Sequence, residues 1–283
     1  MPDPTPSSSR LSQASLARSL LPVALKLADA ARGAINPIFR TAAASNPDNK
    51  LTTGFDPVTE ADRASERVMR EIIERERPDD GIEGEEYGIK PSSTGLVWYL
   101  DPIDGTRAFV AGLPSWCVLI GLVQEGKPIL GIIDQPWMDE RYVGLVEPGV
   151  GAESWLDCRG ARTRLQVRNV ASLTQTVLST TDPFILTPPE RGAFEHIRQT
   201  ARLTRYGLDA YAYARLAAGT IDMVTESGLK SHDVAALFPV IEGAGGVVTD
   251  WRGNPAKLGG QIVAAANRKI LDEALVSLRR SAL

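Results

Sequence analysis

Two carboxylates, a glycine and a hydroxyl follow an apolar run near the middle of the chain. Asp101 and Asp104 lie three residues apart in a tight turn, so both can direct oxygen ligands at one or two hard cations such as Mg²⁺. If a helix begins at Gly105, its free N–H groups face the same pocket and suit a bound phosphate, with the Thr106 hydroxyl beside it. The turn therefore predicts a metal-dependent phosphoester site, although Asp, Pro and Gly also form ordinary turns.

Three further acidic segments support the metal interpretation. Residues 56–62 and 84–86 precede the turn, and Asp233 follows it, each at the edge of a predicted element. Two of these acids have a purely structural alternative. The sequence from Thr59 to Asp62 fits a capping box, and Asp233 is also explained as a helix N-terminal acid.

These four motifs, in this order, resemble the inositol monophosphatase superfamily of Mg²⁺-dependent, lithium-sensitive phosphatases. The resemblance extends from about residue 50 to about residue 255. It implies an α+β fold, built as the layered αβαβα sandwich of the inositol monophosphatase and fructose-1,6-bisphosphatase type. It also implies a metal-dependent phosphoric monoester hydrolase that uses two or three Mg²⁺ ions.

The resemblance assigns roles to individual residues. The implied metal ligands are Glu85, Asp101, the backbone carbonyl of Ile103, Asp104, Asp233 and, through water, Asp62. The implied catalytic residues, which orient the attacking water, are Thr106, Glu85 and Asp62. The implied phosphate and substrate contacts are Gly105, Thr106 and Arg107. For Arg107, an ion pair that braces the acidic cluster is an open alternative. Lys50 lies where related enzymes often have a lysine near the third metal, but its alignment is left open.

Four segments depart from the inositol-type pattern and resemble the histidinol-phosphate phosphatase branch. They are residues 105–109, 134–136, 207–211 and 229–233. This likeness favours hydrolysis of L-histidinol phosphate to L-histidinol and phosphate, a step of histidine biosynthesis. One alternative is a phosphatase of inositol 1-phosphate or another small sugar or nucleotide phosphate. An alternative of a different class is a regulatory binding protein that retains the metal site.

A substrate that carries an ammonium and an imidazole favours pocket acids beyond those that hold metal. Asp209 and Glu226 are the predicted substrate contacts. Their structural alternatives are a helix cap for Asp209 and a surface acid at a strand end for Glu226.

The composition agrees with a compact enzyme acting on a small phosphate monoester. The 283 residues carry 31 Lys and Arg against 35 Asp and Glu, a net charge of −4, which does not indicate nucleic-acid binding. Two cysteines favour a reducing cytoplasm over a disulfide framework. Residues 1–12 are expected to form a mobile tail without signal-peptide features, and no run has membrane-spanning length. The family resemblance suggests a homodimer.

Hydrophobic periodicity predicts the individual elements, and the family resemblance implies that they form two halves with the active site between them. The first, residues 13–150, is an α+β unit with most metal ligands: a helix within 11–40, a helix from Thr59 to before Pro78, and antiparallel strands at 115–123, 128–134 and 141–146. The second, residues 151–283, is an α/β unit that completes the active site. Its predicted elements are helix 208–218, strand 221–226, helix 232–243, strand 245–248 and helix 267–280.

Overall fold

The computed structural model describes residues 15–44, 47–49, 57–147, 149 and 151–283. The predicted tail at 1–12 and Lys50 lie outside these residues. The helices are α1 (Leu16–Ile35), α2 (Glu60–Glu76), α3 (Thr106–Val110), α4 (Pro188–Thr200), α5 (Ala210–Ala217), α6 (Ser231–Val234), α7 (Leu237–Gly243) and α8 (Arg268–Leu278). None of them is both long and apolar enough to cross a membrane.

Most strands belong to one large, mainly antiparallel sheet. Its strands, in chain order, are β3 (Gly81–Gly84), β4 (Gly88–Lys90), β5 (Leu96–Asp104), β6 (Cys117–Gln124), β7 (Lys127–Gln135), β8 (Glu140–Glu147), β9 (Gly151–Cys158) and β10 (Ala161–Arg164). They are arranged in the order β10-β9-β8-β7-β6-β5-β3-β4, and β3 runs parallel to β5. The predicted β6–β7 hairpin and the third strand β8 are confirmed.

A smaller mixed sheet forms the second half. Its strands are β11 (Val177–Ser179), β12 (Leu203–Arg205), β13 (Met223–Leu229), β14 (Val247–Thr249) and β15 (Gly260–Ala265), in the order β12-β11-β13-β15-β14. A short pair, β1 (Asp48–Asn49) with β2 (Pro57–Val58), lies outside both sheets. The large sheet continues to Arg164, so the predicted division at residue 150 falls among its strands.

Three apolar cores hold five layers together. The first core joins α1 and α2 to one face of the large sheet through residues such as Leu27, Met69 and Ile120. The second core lies between the sheets and contains α5 and α7, and the third packs α4 and α8 on the far face of the small sheet. Alternate residues of β6 enter different cores, Ile120 the first and Leu119 the second, as a strand covered on both faces requires. The predicted αβαβα sandwich is confirmed.

Two predicted elements differ from the structure. The helix expected over 232–243 is two short helices, α6 and α7, with Ala235 and Ala236 between them. Gly33 and Pro37 were both expected to interrupt the first helix. The helix α1 continues through Gly33 to Ile35, and it ends before Pro37 as expected. A single exposed glycine inside an amphipathic helix costs only about 1 kcal/mol, which packing of α1 on α2 offsets.

A row of glycines crosses the large sheet beneath the α6–α7 segment. Gly121, Gly131 and Gly144 are cross-strand partners on β6, β7 and β8. A Cβ atom on Gly131 would lie 2.0 Å from the carbonyl oxygen of Ala236, and one on Gly144 would lie 2.2 Å from the Pro239 carbonyl carbon. The glycine row therefore lets backbone lie directly on backbone, which places α6, and with it Asp233, close to the large sheet.

We expect Gly131→Ala to lower the free energy of unfolding by about 3 kcal/mol, because the added methyl forces backbone apart in a fully packed region. Urea denaturation measures this change. Gly192→Ala in α4 is the matched control, since no atom lies within 4 Å of its added Cβ. A Gly131→Ala variant as stable as this control would contradict the close approach at the glycine row.

Candidate active site

A bulge at the end of β5 turns two acids to one face of the sheet. Asp101 pairs with Leu119 and Asp104 with Cys117, so three steps along β5 match two steps along β6. In a regular strand, residues three apart point to opposite faces, and the extra residue of a bulge restores the same face. Pro102 lies within this irregularity, where the ladder needs no N–H donor.

Asp233 joins these two acids from the other half of the molecule. Carboxylate oxygens of Asp101, Asp104 and Asp233 all lie within 4.8 Å of one another. The Asp233 carboxylate also accepts a hydrogen bond from the Lys230 N–H at 2.7 Å, so it caps α6 as well. The cap and the cluster therefore use the same side chain, and neither interpretation excludes the other.

The predicted helix after Gly105 is confirmed as α3, which is five residues long. Gly105 adopts a left-handed conformation with φ 85°, which favours glycine there. The Thr106 hydroxyl donates to the Ile103 carbonyl oxygen at 3.0 Å, so these two predicted site groups are in contact. Arg107 is exposed at the rim, where its charge partly offsets the burial that raises the pKa of Asp209.

Mutual repulsion and burial disfavour ionised carboxylates in this cluster. Burial is the largest cause that raises the pKa of Asp101 well above its ordinary value, and the charges of Glu85 and Asp104 add to it. Burial likewise raises the pKa of Asp104, with Asp209 and Asp233 as negative neighbours. Burial also raises the pKa of Asp233. A divalent cation among these groups would reverse this trend, since it favours the ionised forms.

Asp62 combines a structural contact with an unsatisfied oxygen. Its Oδ2 accepts from the Thr59 N–H at 2.7 Å, which confirms the predicted capping box. Its Oδ1 is buried and has no hydrogen-bond partner among the described residues. Burial raises the pKa of Asp62 to about 7, and the negative charges of Glu86 and Glu85 contribute. A buried carboxylate oxygen without a donor is expected where a cation or water completes its environment.

Glu85 lies on the turn after β3. This turn is held by Glu66, a buried acid that the sequence did not single out. Glu66 in α2 accepts hydrogen bonds from the N–H groups of Glu86 and Tyr87 at 2.7 and 3.1 Å. Arg70 neutralises Glu66 at 2.7 Å. Helical spacing could have found Glu66, because it follows Asp62 by one turn on the buried face of α2.

A cavity of about 300 Å³ opens beside the acids, and both predicted substrate contacts line it together with Thr181 and Tyr213. Asp209 has the strained φ of 47° and makes no side-chain cap to α5, so the cap alternative is wrong. Instead, the next residue, Ala210, donates its N–H to Asp104 Oδ2 at 2.5 Å. Burial raises the pKa of Asp209 to about 6.

Glu226 is buried, so the alternative of a surface acid at a strand end is also wrong. Its carboxylate accepts from the Thr181 N–H at 2.7 Å and the Thr181 hydroxyl at 3.0 Å. Burial nevertheless raises its pKa to about 8. Thr181 and Tyr213 were not predicted, and no sequence pattern singles out Thr181, since it meets Glu226 across the small sheet.

Comparisons with known proteins agree with this geometry. The model of the inositol monophosphatase family matches residues 17–283. The chain belongs to the inositol monophosphatase family. It is 40% identical over 268 residues to the bifunctional phosphatase IMPL2 (chloroplastic) of Arabidopsis thaliana, covering 89% of this chain and 72% of that protein. It is 39% identical over 225 residues to the histidinol-phosphatase of Mycobacterium tuberculosis, covering 78% and 84% of the two chains.

A solved inositol monophosphatase from Zymomonas mobilis superposes with a TM-score of 0.80 at 38% identity, covering 94% of this chain and 99% of that one. Membership of the inositol monophosphatase family makes this protein a phosphoric monoester hydrolase. The residues present fit a hard divalent cation of the kind such hydrolases use. The possible ligand atoms are all oxygens, and they come from both halves of the molecule. The Asp62 Oδ1 atom is buried and has no hydrogen-bond partner among the described residues, so a cation or its water could bind there.

We expect Gly84→Ala to raise the Mg²⁺ concentration for half-maximal activity by at least about tenfold, as loss of groups that orient metal ligands does. The added Cβ would lie 1.9 Å from Glu66 Oε1, so the Glu85–Tyr87 turn must move. A Mg²⁺ titration of phosphate release measures the effect, with Gly192→Ala as the control. An unchanged midpoint would show that Glu66 does not fix this turn.

Proposed function

We propose that the protein is a Mg²⁺-dependent histidinol-phosphatase, which hydrolyses L-histidinol phosphate to L-histidinol and phosphate. The observation that carries this proposal is a pair of acids on the cavity wall beyond the metal-type cluster, half-buried Asp209 and buried Glu226. A neutral polyol needs no such charge, whereas an ammonium and an imidazole offset the burial of two carboxylates. The likeness to the histidinol-phosphatase of M. tuberculosis also supports it.

On the phosphate side, Glu85, Asp101, the Ile103 carbonyl, Asp104 and Asp233 would hold the Mg²⁺ ions. When bound, Mg²⁺ polarises the phosphate and neutralises its charge. Thr106 and Glu85 or Asp62 would orient the attacking water, and Asp62 Oδ1, which has no hydrogen-bond partner among the described residues, can accept its proton. Gly105 and Thr106 offer backbone N–H groups at the start of α3 to the phosphate oxygens, and Arg107 adds positive charge at the rim.

On the leaving-group side, Glu226 and Asp209 hold the cationic alcohol. The Glu226 carboxylate is fixed by two donors on Thr181, so its position is set before the substrate arrives. An incoming cation favours the ionised form of Glu226, whose pKa burial raises to about 8. Substrate binding near neutral pH is therefore accompanied by proton release from this side chain.

The test is the ratio of kcat/KM for L-histidinol phosphate to that for myo-inositol 1-phosphate at saturating Mg²⁺. We expect the ratio to be at least about a hundredfold, because a site built to pair polar groups strongly rejects an analogue that leaves them unpaired. Glu226→Gln should reduce the ratio mainly through histidinol phosphate. A ratio near or below one would refute the substrate assignment and leave the metal chemistry intact.

An inositol 1-phosphatase is the second candidate. The likeness to the Z. mobilis inositol monophosphatase favours it, because that likeness covers 94% of this chain. The same ratio decides between the two substrates. A homodimer and two or three Mg²⁺ ions per site, which follow from the family resemblance, complete the proposal. A cytoplasmic location, which the two cysteines favour, is also part of it.

A further inference from the structure

A buried carboxylate that does not line the cavity is tied to the strand that carries Glu226. Glu190 lies in the first turn of α4 and is 4% exposed. Its Oε2 accepts from the Thr187 N–H and hydroxyl at 2.9 and 2.6 Å, which forms a capping box. Its Oε1 accepts from Gln261 Nε2 at 2.7 Å and from the Ser227 hydroxyl. The cap needs only Thr187, so the contacts of Oε1 require another explanation.

Ser227 occupies an irregular part of β13. Glu226 pairs with Ile262 and Leu229 with Gly260, and the ladder is interrupted between these pairs. Residues 227–229 line the cavity directly after Glu226. The backbone ladder leaves this bend unpaired, and the side-chain contacts from Glu190 fasten it on both sides, to Ser227 on β13 and to Gln261 on β15.

The next residue of α4, Arg191, holds a second segment of the cavity lining, the loop that contains Thr181 and Ile185. The Arg191 guanidinium donates to the carbonyl oxygens of Pro183, Phe184 and Leu186 at 3.0, 3.3 and 3.2 Å. The loop held in this way begins at Thr181, whose N–H and hydroxyl bind the Glu226 carboxylate. One turn of α4 therefore holds both segments that determine where Glu226 points.

We propose that Glu190 is a positioning residue for leaving-group selection: it fixes the bend at Ser227 so that Glu226 faces the cavity. This inference rests on the proposed function insofar as the cavity receives the leaving group. Burial by itself would raise the pKa of Glu190, but hydrogen bonds from Ser227, Thr187 and Gln261 outweigh it and lower the pKa to about 2. The carboxylate is therefore ionised at working pH and accepts all four bonds.

The test compares Glu190→Gln and Ser227→Ala on two substrates at saturating Mg²⁺. L-Histidinol phosphate reaches Glu226, whereas methyl phosphate has a leaving group too small to do so. We expect each variant to raise KM for histidinol phosphate by about tenfold, with kcat and the KM for methyl phosphate within about twofold of wild type. The double variant should resemble either single one, because both break the same link.

Thr187→Val is the matched control, because it removes the helix cap and leaves Ser227 and Gln261 in place. It should lower the melting temperature and leave the substrate ratio unchanged. Equal losses on both substrates in Glu190→Gln and Ser227→Ala, or the same selectivity change in Thr187→Val, would overturn the positioning role. If the wild type instead prefers inositol 1-phosphate, the proposed function fails. In that case the positioning role of Glu190 is tested by whether the variants raise the KM for inositol 1-phosphate more than the KM for methyl phosphate.

Discussion

Asp101→Asn is expected to reduce Mg²⁺-dependent kcat/KM by more than about a hundredfold. Mutation of a residue that only orients a metal ligand lowers metal affinity or activity by roughly ten- to hundredfold, and loss of a ligand itself should cost more. Asp101 belongs to the acidic cluster, with carboxylate oxygens of Asp104 and Asp233 within 4.8 Å. The same substitution should leave the metal-free protein equally stable or more stable. Asn keeps the oxygen that accepts from the Ile103 N–H at 3.0 Å and removes one of the repelling charges.

Phosphate release and urea denaturation in EDTA together test this expectation. Asp80→Asn is the matched control, since Asp80 is equally buried but accepts from Arg77, Thr94 and the Trp98 indole. We expect that control to lose about 2 kcal/mol of stability and to keep its response to Mg²⁺. An Asp101→Asn variant with full turnover would show that Asp101 is not a metal ligand.

The metal-free protein is expected to lose several kcal/mol of stability as the pH rises from about 5 to about 8. Burial raises the pKa of Asp209 to about 6, of Asp62 to about 7 and of Glu226 to about 8. In the unfolded chain these carboxyls titrate near pH 4. Between these limits the folded state holds protons that the unfolded chain has released, so rising pH favours unfolding.

Excess Mg²⁺ should reverse the trend, because the cation binds the ionised carboxylates and stabilises only the folded state. Urea denaturation at several pH values, in EDTA and in Mg²⁺, measures both slopes. Glu226→Gln should flatten the EDTA slope, since it removes the group with the highest of the three pKa values. Metal-free stability that increases between these pH values would contradict the burial of these acids.

Local patterns were sufficient to predict much of the fold. The capping box at Thr59, the hairpin between β6 and β7 and the αβαβα layering are all confirmed. The capping box and the hairpin follow from neighbours in sequence, whereas the layering was implied by the family resemblance. The helix expected over 232–243 was wrong because its interruption at Ala235 and Ala236 depends on the glycine row, which belongs to strands about ninety or more residues earlier.

The acids of the site could be predicted by type, but their surroundings could not. The sequence places Asp101 and Asp104 together, yet their common direction depends on a bulge whose partner is β6. Glu226 was predicted as a substrate contact, but its burial and its hydrogen bond from Thr181, which lies 45 residues earlier in the loop after β11, could not be predicted. Burial of this kind is a property of packing between distant segments.

The glycine row affects the metal site, because it brings the segment that carries Asp233 onto the large sheet. Asp101 and Asp104 come from the large sheet, while Asp233 comes from the α6–α7 segment that rests on those glycines. A cation bound by all three acids would be a cross-link between the two halves of the chain. Metal binding and the docking of the halves then form a single equilibrium, so chelation should increase amide hydrogen exchange in β7 and β8, strands that contribute none of the three acids.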